Sequence, residues 1–405
     1  MRFPGFTDEW KENPLNQLVE RVTRKNKNEE SKVALTISAQ YGLVDQEAFF
    51  NNKVASSDLS HYYLLYKGEY AYNKSYSSGY PWGTVKRLNQ YDKGVVSTLY
   101  ICFRPLDTVD SDFIGHYFES SKWHKGVSEI AVEGARNHGL LNIGVKDFFS
   151  TTHFVPSLDE QKKITKVLSL IDDRIVTQNK IIEDLKKLKS AIIDKVFCLP
   201  SENSPHIRLG NFCDDWKIVR LSEICNKITE KNSGLKCNLV LTIAAQYGLV
   251  SQLDFFHKNV ASENLSSYIL IRNGDFAYNK SYSGDYPWGA IKKLDHYESG
   301  VLSPLYFCFR PNPDNVNSDF LAFYFESKKW YRGVSEIAGE GARNHGLLNI
   351  SVIDFFDTLH RIPSLKEQSH IVSVLQSYQN KIDNEERLLS QYQNQRKYLL
   401  SQLFI

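Results

Sequence analysis

The residues best suited to contact a ligand lie in a polar loop that the chain carries twice. Residues 134–139 read Gly-Ala-Arg-Asn-His-Gly, and residues 341–346 repeat them without change. Arg can bond guanine through two donors and Asn can bond adenine through its amide, so the loop carries side chains that recognise nucleic-acid bases. A tight turn whose Arg and His bond local backbone groups is the alternative, and the sequence leaves both open. The candidate residues are Arg136, Asn137, His138, Arg343, Asn344 and His345.

A second group of candidate contact residues surrounds the sequence Ala-Tyr-Asn-Lys-Ser-Tyr-Ser, which occupies residues 71–77 and begins again at residue 277. It places an amide, a cation, a hydroxyl and an aromatic ring together, and nearby cations suit a phosphate backbone. Residues 72–94 hold four cations and one acid, whereas residues 278–300 hold three of each, so equally strong phosphate contacts are not expected. The group comprises Gln40, Tyr41, Asn73, Lys74, Ser75, Tyr76, Lys86 and Arg87, with Gln246, Tyr247, Asn279, Lys280, Ser281, Tyr282, Lys292 and Lys293 in the second copy.

Motifs for catalysis do not occur in the sequence. An amino-methyltransferase needs an Asn-Pro-Pro or Asp-Pro-Pro loop, a P-loop hydrolase needs Gly-x-x-x-x-Gly-Lys-Ser/Thr, and neither is present. Asp159, Glu160 and Lys162 resemble a nuclease site, but Ser369 replaces the lysine in the second copy, and acids are favoured in a first helical turn. The six cysteines lack Cys-x-x-Cys spacing. We therefore predict no catalytic residue, no metal site and no cofactor bound by this chain.

The candidate motifs belong to an internal repeat that organises the whole chain. Residues 126–143 and 333–350 are identical except that Val132 becomes Gly339. Equivalent residues lie 206 positions apart up to about Asp107 and 207 apart beyond it. Self-similarity of this length indicates one module used twice.

Length and composition indicate a globular protein with room for two or three domains. The 405 residues are 42% hydrophobic and 24% charged, as is ordinary for folded proteins. A net charge of +2 gives no overall basic field, so any nucleic-acid surface is expected to be local. The first residues do not resemble a signal peptide and no uncharged run approaches 18 residues, so we expect a soluble, reduced, cytoplasmic protein.

Each module is predicted to mix helices and strands. Residues 62–66, 68–72 and 95–103 are rich in β-branched and aromatic side chains and are separated by turn formers, which predicts strands. Residues 112–122 predict a helix, and residues 140–143 resemble the start of a buried strand. Cys102 and Cys308 are expected to be buried in equivalent strands. For Trp82 and Trp288, a core position is favoured over stacking on a base.

Two long helices are the most distinct elements of the sequence. Each begins after a proline with the pattern of a capping box, Ser157 with Glu160 and Ser364 with Glu367. Residues then recur at alternating spacings of three and four, which is the pattern of a coiled-coil seam. The seam positions are Leu168, Ile171, Ile175, Gln178, Ile182, Leu185, Lys189, Ile192 and Val196, and in the second copy Leu375, Tyr378, Ile382, Glu385, Leu389, Tyr392, Arg396, Leu399 and Leu403.

The two helices are predicted to pair with each other in antiparallel fashion. A helix of about 40 residues is roughly 60 Å long, whereas the linker after the first helix reaches roughly 36 Å at most, so a parallel pair would need the second module to return the chain. We predict an α+β protein with two modules held apart by an antiparallel coiled coil and related by a pseudo-two-fold axis. Packing of each helix on its own module is the alternative. The predicted boundaries are 1–156 and 209–363 for the modules, 157–198 and 364–405 for the helices, and 199–208 for the linker.

Two inverted copies of one module suit a target with the same symmetry. Duplex DNA has antiparallel strands, and a two-fold protein reads an interrupted palindrome whose half-site spacing the coiled coil would set. A scaffold that holds two copies of a protein partner explains the symmetry without DNA. The two hypotheses differ in salt dependence, because phosphate contacts weaken steeply with added salt.

Several motifs resemble the specificity subunit of type I restriction-modification enzymes, and the resemblance covers essentially the whole chain. They are Arg-Phe-Pro-Gly-Phe-Thr-Asp-Glu-Trp at the start, Tyr-Asn-Lys-Ser-Tyr with Tyr-Pro-Trp-Gly, Glu-Gly-Ala-Arg-Asn-His-Gly-Leu-Leu-Asn-Ile, and Pro-Ser-Leu-x-Glu-Gln at the start of each long helix. The resemblance implies two target recognition domains that bind double-stranded DNA without catalysis, and helical spacers that dock partner subunits. It implies two modification subunits that methylate adenine N6 with S-adenosylmethionine, and two restriction subunits that translocate and cleave DNA with ATP and Mg.

Two features depart from the pattern of this family. Its recognition domains usually differ from one another, whereas here they are close copies, so we expect two nearly identical half-sites. The second module begins with the less typical sequence Arg-Leu-Gly-Asn-Phe-Cys-Asp-Asp-Trp. A chain that works with modification subunits alone, without cleavage, stays open as an alternative.

Overall fold

The structure, a computed structural model, describes residues 2–52, 55–56, 58–77, 79–131, 139–244, 247–258, 261–262, 264–281, 286–338 and 346–405. Backbone contacts divide the chain into two compact units. Unit 1 consists of Met1–Asn179 and Arg387–Ile405, and unit 2 of Lys180–Glu386. Each unit therefore holds one module and a segment of each long helix. Across the described residues, no helix combines the length and apolar composition that a membrane span requires.

In the first module, short strands dominate and most helices lie near its end. Its elements are β1 (Lys11–Pro14), a 3-10 turn (Leu15–Gln17), β2 (Val19–Val22), β3 (Leu35–Ser38), β4 (Gly42–Asp45), α1 (Gln46–Phe50), β5 (Tyr63–Tyr66), β6 (Tyr70–Asn73), β7 (Thr84–Arg87), β8 (Lys93–Val96), β9 (Ile101–Pro105), α2 (Ser111–Glu119), α3 (His124–Ile130), α4 (Val145–Ser150) and β10 (Thr152–Val155). The first long helix, α5 (Leu158–Val196), follows directly.

The second module repeats this order with small changes. Its elements are β11 (Lys217–Arg220), α6 (Leu221–Ile224), β12 (Cys225–Lys227), β13 (Leu241–Ala244), β14 (Gly248–Ser251), α7 (Gln252–Phe256), β15 (Ile269–Arg272), β16 (Phe276–Asn279), β17 (Ala290–Lys293), β18 (Ser299–Leu302), β19 (Phe307–Pro311), α8 (Ser318–Glu326), α9 (Tyr331–Ile337), α10 (Val352–Phe356) and β20 (Leu359–Ile362). The second long helix is α11 (Leu365–Leu403).

A four-stranded antiparallel sheet forms the centre of each module. Its strand order is β2-β9-β6-β7 in the first module and β12-β19-β16-β17 in the second. Alternate residues of a strand face opposite sides of a sheet. Both sides are buried here, because Tyr70 and Tyr72 join one apolar core and Ala71 joins another with Cys102. Cys308 is buried at the equivalent position, so the predicted burial of both strand cysteines is confirmed.

The predicted strands agree with the structure in position but not everywhere in extent. Residues 62–66 and 68–72 correspond to β5 and β6. The predicted strand at 95–103 is interrupted, because a turn closed by the bond from the Tyr100 N–H to the Ser97 carbonyl (3.1 Å) separates β8 from β9. Two-stranded antiparallel ribbons complete the modules: β1-β10, β3-β4, β5-β8, β11-β20, β13-β14 and β15-β18.

Two other predicted elements are shorter than expected. The helix predicted at 112–122 is α2, which ends at Glu119 because Ser120 adopts an extended backbone conformation. Residues 140–143 do not form a strand; Leu140 instead makes an isolated β-bridge with Ser75. The side chains of Leu141 and Ile143 are nevertheless buried, as the apolar pattern predicted.

The Pro-Ser-Leu-x-Glu-Gln motif joins each long helix to the start of its module. Glu160 is buried and accepts two hydrogen bonds of 2.8 Å from the Arg2 guanidinium. Glu367 accepts the equivalent bonds from Arg208 at 2.8 and 2.7 Å. The predicted capping box of α5 is therefore only half formed: Ser157 Oγ accepts the Glu160 N–H at 3.5 Å, but the Glu160 carboxylate is held by the arginine.

The glutamine of the same motif ties the start of α5 to the start of α2. Gln161 Oε1 accepts the backbone N–H of Asp110 at 2.8 Å, and its amide donates to the Pro156 carbonyl at 2.9 Å. Gln368 repeats both bonds in the second module. A buried glutamine with both ends bonded explains why this residue type recurs at the helix start.

The two long helices run antiparallel in the segments that each unit contains. In unit 1, Asp172 near the start of α5 accepts a hydrogen bond from Arg396 near the end of α11. In unit 2, Lys189 near the end of α5 donates to Gln379 near the start of α11 at 2.8 Å. A second contact in each unit fixes the direction: Arg174 lies 5.8 Å from the centre of the Tyr392 ring in unit 1, and Lys186 pairs with Glu386 at 2.6 Å in unit 2. Residue numbers along α11 fall as those along α5 rise, so the predicted antiparallel direction is confirmed within each unit.

The two cations of the seam, Lys189 on α5 and Arg396 on α11, connect the long helices to the modules. Arg396 bonds Glu119 at the end of α2, and Lys189 bonds Glu326 at the end of α8 at 3.1 Å. In the sequence of each long helix, this cation is the position that interrupts the apolar stripe with a positive charge. Each seam cation therefore pairs with a carboxylate at the end of a module helix, α2 or α8.

The end of each long helix lies in the core of the module that it does not follow. Leu403 and Phe404, at the end of α11, are buried in a core of unit 1 together with Phe113. Val196 and Phe197, at the end of α5, are buried in the core of unit 2. The start of α5 also packs on its own module through Ile164 and Leu168, in addition to pairing with α11.

A buried histidine links α2 to β10 in the first module. His153 Nδ1 lies 2.8 Å from the Tyr117 hydroxyl and Nε2 lies 2.8 Å from Thr151 Oγ1. Thr151 donates its own hydrogen to the Phe148 carbonyl, so Nε2 donates to Thr151 and Nδ1 accepts from Tyr117, which is the pattern of a neutral imidazole. Burial lowers the pKa of His153, and of His360 in the same setting, from 6.5 to about 4.

We expect these two histidines to make the protein less stable in mild acid. Their folded-state pKa is depressed, so the stabilisation is complete above pH 6.5 and is lost as the pH falls towards 4. The full effect is about 3 kcal/mol for each histidine. Unfolding by urea at a series of pH values measures it, and His153→Gln with His360→Gln should flatten the slope. The exposed His206→Gln is the control, and an unchanged slope in the double variant contradicts the assignment.

Candidate nucleic-acid interface

The two sequence motifs predicted to contact a ligand lie against each other in the first module. Tyr76 donates its backbone N–H to the Gly139 carbonyl at 2.7 Å, and Leu141 donates to the Lys74 carbonyl at 2.9 Å. The segment that leaves β6 is thus hydrogen-bonded to the end of the copied stretch. Sequence reasoning treated these motifs separately, and the structure joins them.

The second module makes the same connection. Leu348 donates its N–H to the Lys280 carbonyl at 2.9 Å, and Ser281 forms a β-bridge with Leu347. We call this feature the motif ribbon. It consists of residues 74–76 with 139–141 in the first module and residues 280–281 with 346–348 in the second.

The Tyr-Pro-Trp-Gly turn closes on the end of β6 beside the motif ribbon. Tyr72 donates its hydroxyl to the Trp82 carbonyl at 2.8 Å, and the second module repeats this bond. Gly83 has φ +77°, and a Cβ there would lie 2.2 Å from the Asn73 carbonyl oxygen, so glycine is required. Trp82 and Trp288 pack partly buried on apolar cores, as predicted.

Two side chains of the motif are already engaged within the fold. Asn73 Oδ1 accepts the Ser75 N–H at 3.1 Å, and Lys74 Nζ donates to the Ile143 carbonyl at 3.2 Å. The equivalent pair, Asn279 and Lys280, makes the same bonds at 3.0 and 3.5 Å. Contacts from these residues to bases or phosphates stay predictions, and they would compete with the bonds seen here. Ser75 and Ser281 are half-buried, whereas Tyr76 is exposed.

A β-hairpin tip presents a tyrosine in each module. Residues 39–41 connect β3 to β4, and Gly42 takes a left-handed backbone conformation with φ +84° that completes the turn. Tyr41 and Tyr247 expose 64% and 67% of their surfaces, so both rings are accessible to a ligand. Gln40 is exposed at the same tip.

The cations predicted to hold phosphates in the first module have carboxylate partners. Lys86 Nζ lies 3.3 Å from Glu119 Oε1, and Arg87 Nη1 lies 2.5 Å from Asp112 Oδ1. Both carboxylates come from α2, which packs on this edge of the sheet. A phosphate would have to compete with them, so phosphate binding by Lys86 and Arg87 stays an untested prediction.

The equivalent cations of the second module are similarly placed. Lys293 pairs with Asp295 at 2.7 Å and with Asp319. Burial lowers the pKa of Lys292, and the negative charge of Glu326 opposes this lowering in part. Lys86, Arg87 and Lys293 therefore all pair with carboxylates of their own module.

A cleft of about 910 Å³ in unit 1 borders several of the predicted residues. Gln40, Lys86 and the turn at residues 79–83 line one side, and side chains of α5 and α11 line the other. Within it, Arg396 is bonded to both Glu119 and Asp172. Because carboxylates neutralise these cations, the cleft is not a basic channel for phosphates, and the motif ribbon is the better candidate surface.

Eight predicted contact residues lie outside the residues that the structure describes. For the loops at 134–139 and 341–346, the structure places the residues where they end: Gly139 accepts the Tyr76 N–H, and Leu347 forms a bridge with Ser281. Within the described ranges, no group of three His, Cys, Asp or Glu side chains is arranged to hold a metal ion. The eight residues are Arg136, Asn137, His138, Gln246, Tyr282, Arg343, Asn344 and His345.

Sequence reasoning missed an exposed leucine in each module. Leu99 and Leu305 lie in the turns after β8 and β18, and each exposes 63% of its surface. The sequence contained a signal for this position, because the leucine is the same in both copies although the residue before it changes from Thr98 to Pro304. A single exposed apolar side chain is ordinary in folded proteins, so only the repetition in both copies makes this position a candidate contact.

Comparison with known proteins identifies relatives along most of the chain. No protein-family model matches it. The type I restriction enzyme MjaVIII specificity subunit of Methanocaldococcus jannaschii is 23% identical over 329 residues, which are 77% of this chain and 73% of that protein. The type I restriction-modification S subunit of M. genitalium has a TM-score of 0.50 and 16% identity over 100% of this chain and 97% of that one.

A second solved structure, which concerns complex assembly and conformational transition of the type I R-M system, contains a chain with the same fold. Its TM-score is 0.57, with 15% identity over 98% of both chains. The predicted α+β class with two modules and two long helices is thereby confirmed. In sequence the chain is similar to a specificity subunit of a type I restriction enzyme, and in fold it is similar to an S subunit, in agreement with the resemblance that its motifs indicated.

Proposed function

We infer that this chain is the non-catalytic DNA-recognition subunit of a type I restriction-modification complex. The observation that carries this function is the motif ribbon, which both modules build in the same way at the base of an identical polar loop. A loop with Arg, Asn and His held at a defined place can read base edges in a groove. The likeness to specificity subunits supports the same function.

The two modules read two nearly identical half-sites of a bipartite sequence. Arg136 and Arg343 bond guanine, and Asn137 and Asn344 bond adenine, because these pairs match the hydrogen-bonding edges of the bases. The exposed hairpin tips with Tyr41 and Tyr247 add contacts beside them. The recognition domains are residues 1–156 and 209–363, and the helices at 157–198 and 364–405 act as spacers.

Partner subunits supply the chemistry in this proposal. Two modification subunits methylate adenine N6 with S-adenosylmethionine, and two restriction subunits translocate and cleave DNA with ATP and Mg in the cytoplasm. The likeness to a chain of a solved type I R-M system supports assembly of this kind. The spacer helices are the docking surface for the modification subunits.

A map of N6-methyladenine in host DNA, with and without this gene, tests the proposed function. We expect a motif of two matching half-sites around a fixed gap that disappears on deletion. Binding of the purified complex to that duplex should weaken as salt rises, with a slope near −0.9 for each phosphate contact. Methylation that does not depend on the gene, together with salt-independent partner binding, would favour the protein scaffold instead.

A further inference from the structure

We propose that Lys74 and Lys280 are positioning residues that fix the copied polar loop on its module, and that they do not bind phosphate. This inference rests on the proposed function and assigns the cation of the Tyr-Asn-Lys-Ser-Tyr motif a definite task. A lysine beside a nucleic-acid contact is ordinarily expected to meet the phosphate backbone. The structure gives both lysines a different partner.

In the first module, the Lys74 ammonium is directed towards the end of the copied stretch. Its Nζ lies 3.2 Å from the Ile143 carbonyl, whereas its backbone carbonyl accepts the Leu141 N–H at 2.9 Å. One residue therefore holds the stretch at two points. Ile143 is itself anchored, because its side chain is buried in the core with Phe148.

The second module uses the same arrangement with one addition. Lys280 Nζ lies 3.5 Å from the Ile350 carbonyl and 4.9 Å from the centre of the Phe307 ring. Ile101 occupies the position of Phe307 in the first module, so Lys74 has no ring at that place. The longer hydrogen bond of Lys280 is thus accompanied by a cation–π contact.

The geometry explains why a cation is used for this task. An ammonium group donates charge-assisted hydrogen bonds, which are stronger than those of neutral donors. Both lysines are half-buried, so their side chains lie along the fold and their bonds are partly shielded from water. The copied stretch meets the motif ribbon at Gly139, so a change in the ribbon acts on the place where this stretch joins the module.

The test compares Lys74→Met and Lys280→Met in the full complex. Methionine keeps the length of the side chain and removes the donor. We expect discrimination between the cognate half-site and a changed one to fall about tenfold to hundredfold, the range for losing a charged hydrogen bond, in the half read by the altered module. The exposed Lys67→Met, in the first module, is the matched control and should leave both halves unchanged.

Two further measurements separate positioning from phosphate binding and from general damage. The salt slope of binding to a non-cognate duplex should stay constant, and hydrogen exchange at the Leu141 and Tyr76 amides should accelerate in Lys74→Met. The melting temperature should change little, because the lysines are half-buried and the substitution leaves the apolar core of the module unchanged. Methylation at relaxed sites in one half alone is the signature of a mispositioned loop.

Several outcomes overturn the proposal. A salt slope reduced by about 0.9 for each lysine, with equal losses on all duplexes, would show that the lysines bind phosphate. Unchanged exchange at the motif ribbon would show that they do not hold it. If the wild-type complex prefers no sequence at all, the proposed function fails, and the exchange measurement by itself decides whether the lysines fix the ribbon.

Discussion

Replacing Leu403 and Phe404 with alanine is expected to unfold the first module before the second, although both residues lie at the far end of the chain. Both side chains are buried in the core of unit 1, and the Phe404 ring lies 5.3 Å from Phe113 and 5.7 Å from Tyr117. Truncating a buried Leu costs about 2–5 kcal/mol and a buried Phe about 3–5 kcal/mol. Because typical domains are stable by only about 5–15 kcal/mol, the pair removes a large share of the stability of this module.

Hydrogen exchange measured separately for peptides of each module tests this prediction. Protection should be lost first in α2 and β9 and retained in α8 and β19. Tyr398→Ala, near the same helix end but more than half exposed, is the matched control. The reciprocal variant, Val196→Ala with Phe197→Ala, should unfold the second module first, since Phe197 lies 5.3 Å from Phe320. Equal loss of protection in both modules from either variant contradicts the placement of the helix ends.

The helix ends also show how far the sequence could predict the fold. The range 157–198 was expected for the first long helix and Leu158–Val196 is observed, because caps and heptad spacing are local signals. The core that receives the helix end is not a local property. Phe197 and Phe404 occupy equivalent places in the repeat, and so do their neighbours Phe320 and Phe113. A repeated sequence offers two equivalent cores and does not say which core each helix end enters.

The residue types of the candidate site could be predicted from the sequence, but the ion pairs that its charged side chains form within the fold could not. Lys86 and Arg87 were predicted to contact the phosphate backbone, but their partners Glu119 and Asp112 lie on a helix that no sequence pattern places beside β7. Lys74 likewise bonds a carbonyl 69 residues away along the chain. Long-range pairing decides whether a cation is available to a phosphate, and periodicity carries no information about it.

The repeat itself helps to separate residues that hold the fold from residues that make contacts. In the first module, Arg24 donates to Glu69 at 3.1 Å. The second module has Glu230 at the position of Arg24 and pairs it with Arg272 at 2.6 Å. The residue equivalent to Glu69 is Asp275, which bonds Arg310 instead, so the two copies have changed the partners of their ion pairs while keeping the same sheet. The sequence of the polar loop at 134–139 shows no such change between the copies, which favours the contact role predicted for it.

Replacing both Arg136 and Arg343 with alanine is therefore expected to relax sequence choice while the protein stays folded. A bidentate bond from Arg to guanine contributes about 1–3 kcal/mol of discrimination, roughly fivefold to more than a hundredfold. Arg136→Ala alone should relax one half-site and Arg343→Ala alone the other. Mapping N6-methyladenine for the three variants measures this, and the melting temperature reports the fold.

The same methylation map, measured for a control variant, separates base reading by the two arginines from the alternative roles. Lys67→Ala removes an exposed cation outside the loop and should leave the methylation motif unchanged. Unaltered specificity in the double arginine variant would remove the loop from the contact surface and leave the hairpin tips with Tyr41 and Tyr247 as candidates. A uniform loss on all sequences, with a salt slope lower by about one for each arginine, would assign the arginines to phosphates.

The arginine and lysine variants can also be combined to test whether loop and ribbon act as a unit. If Lys74 positions the loop that carries Arg136, the two single changes should relax the same half-site. Groups that share one interaction are not additive, so the double variant should relax it little further than Arg136→Ala alone. Additive losses would mean that the lysine acts on DNA independently of the loop, and the motif ribbon would then be a structural joint without a part in sequence choice.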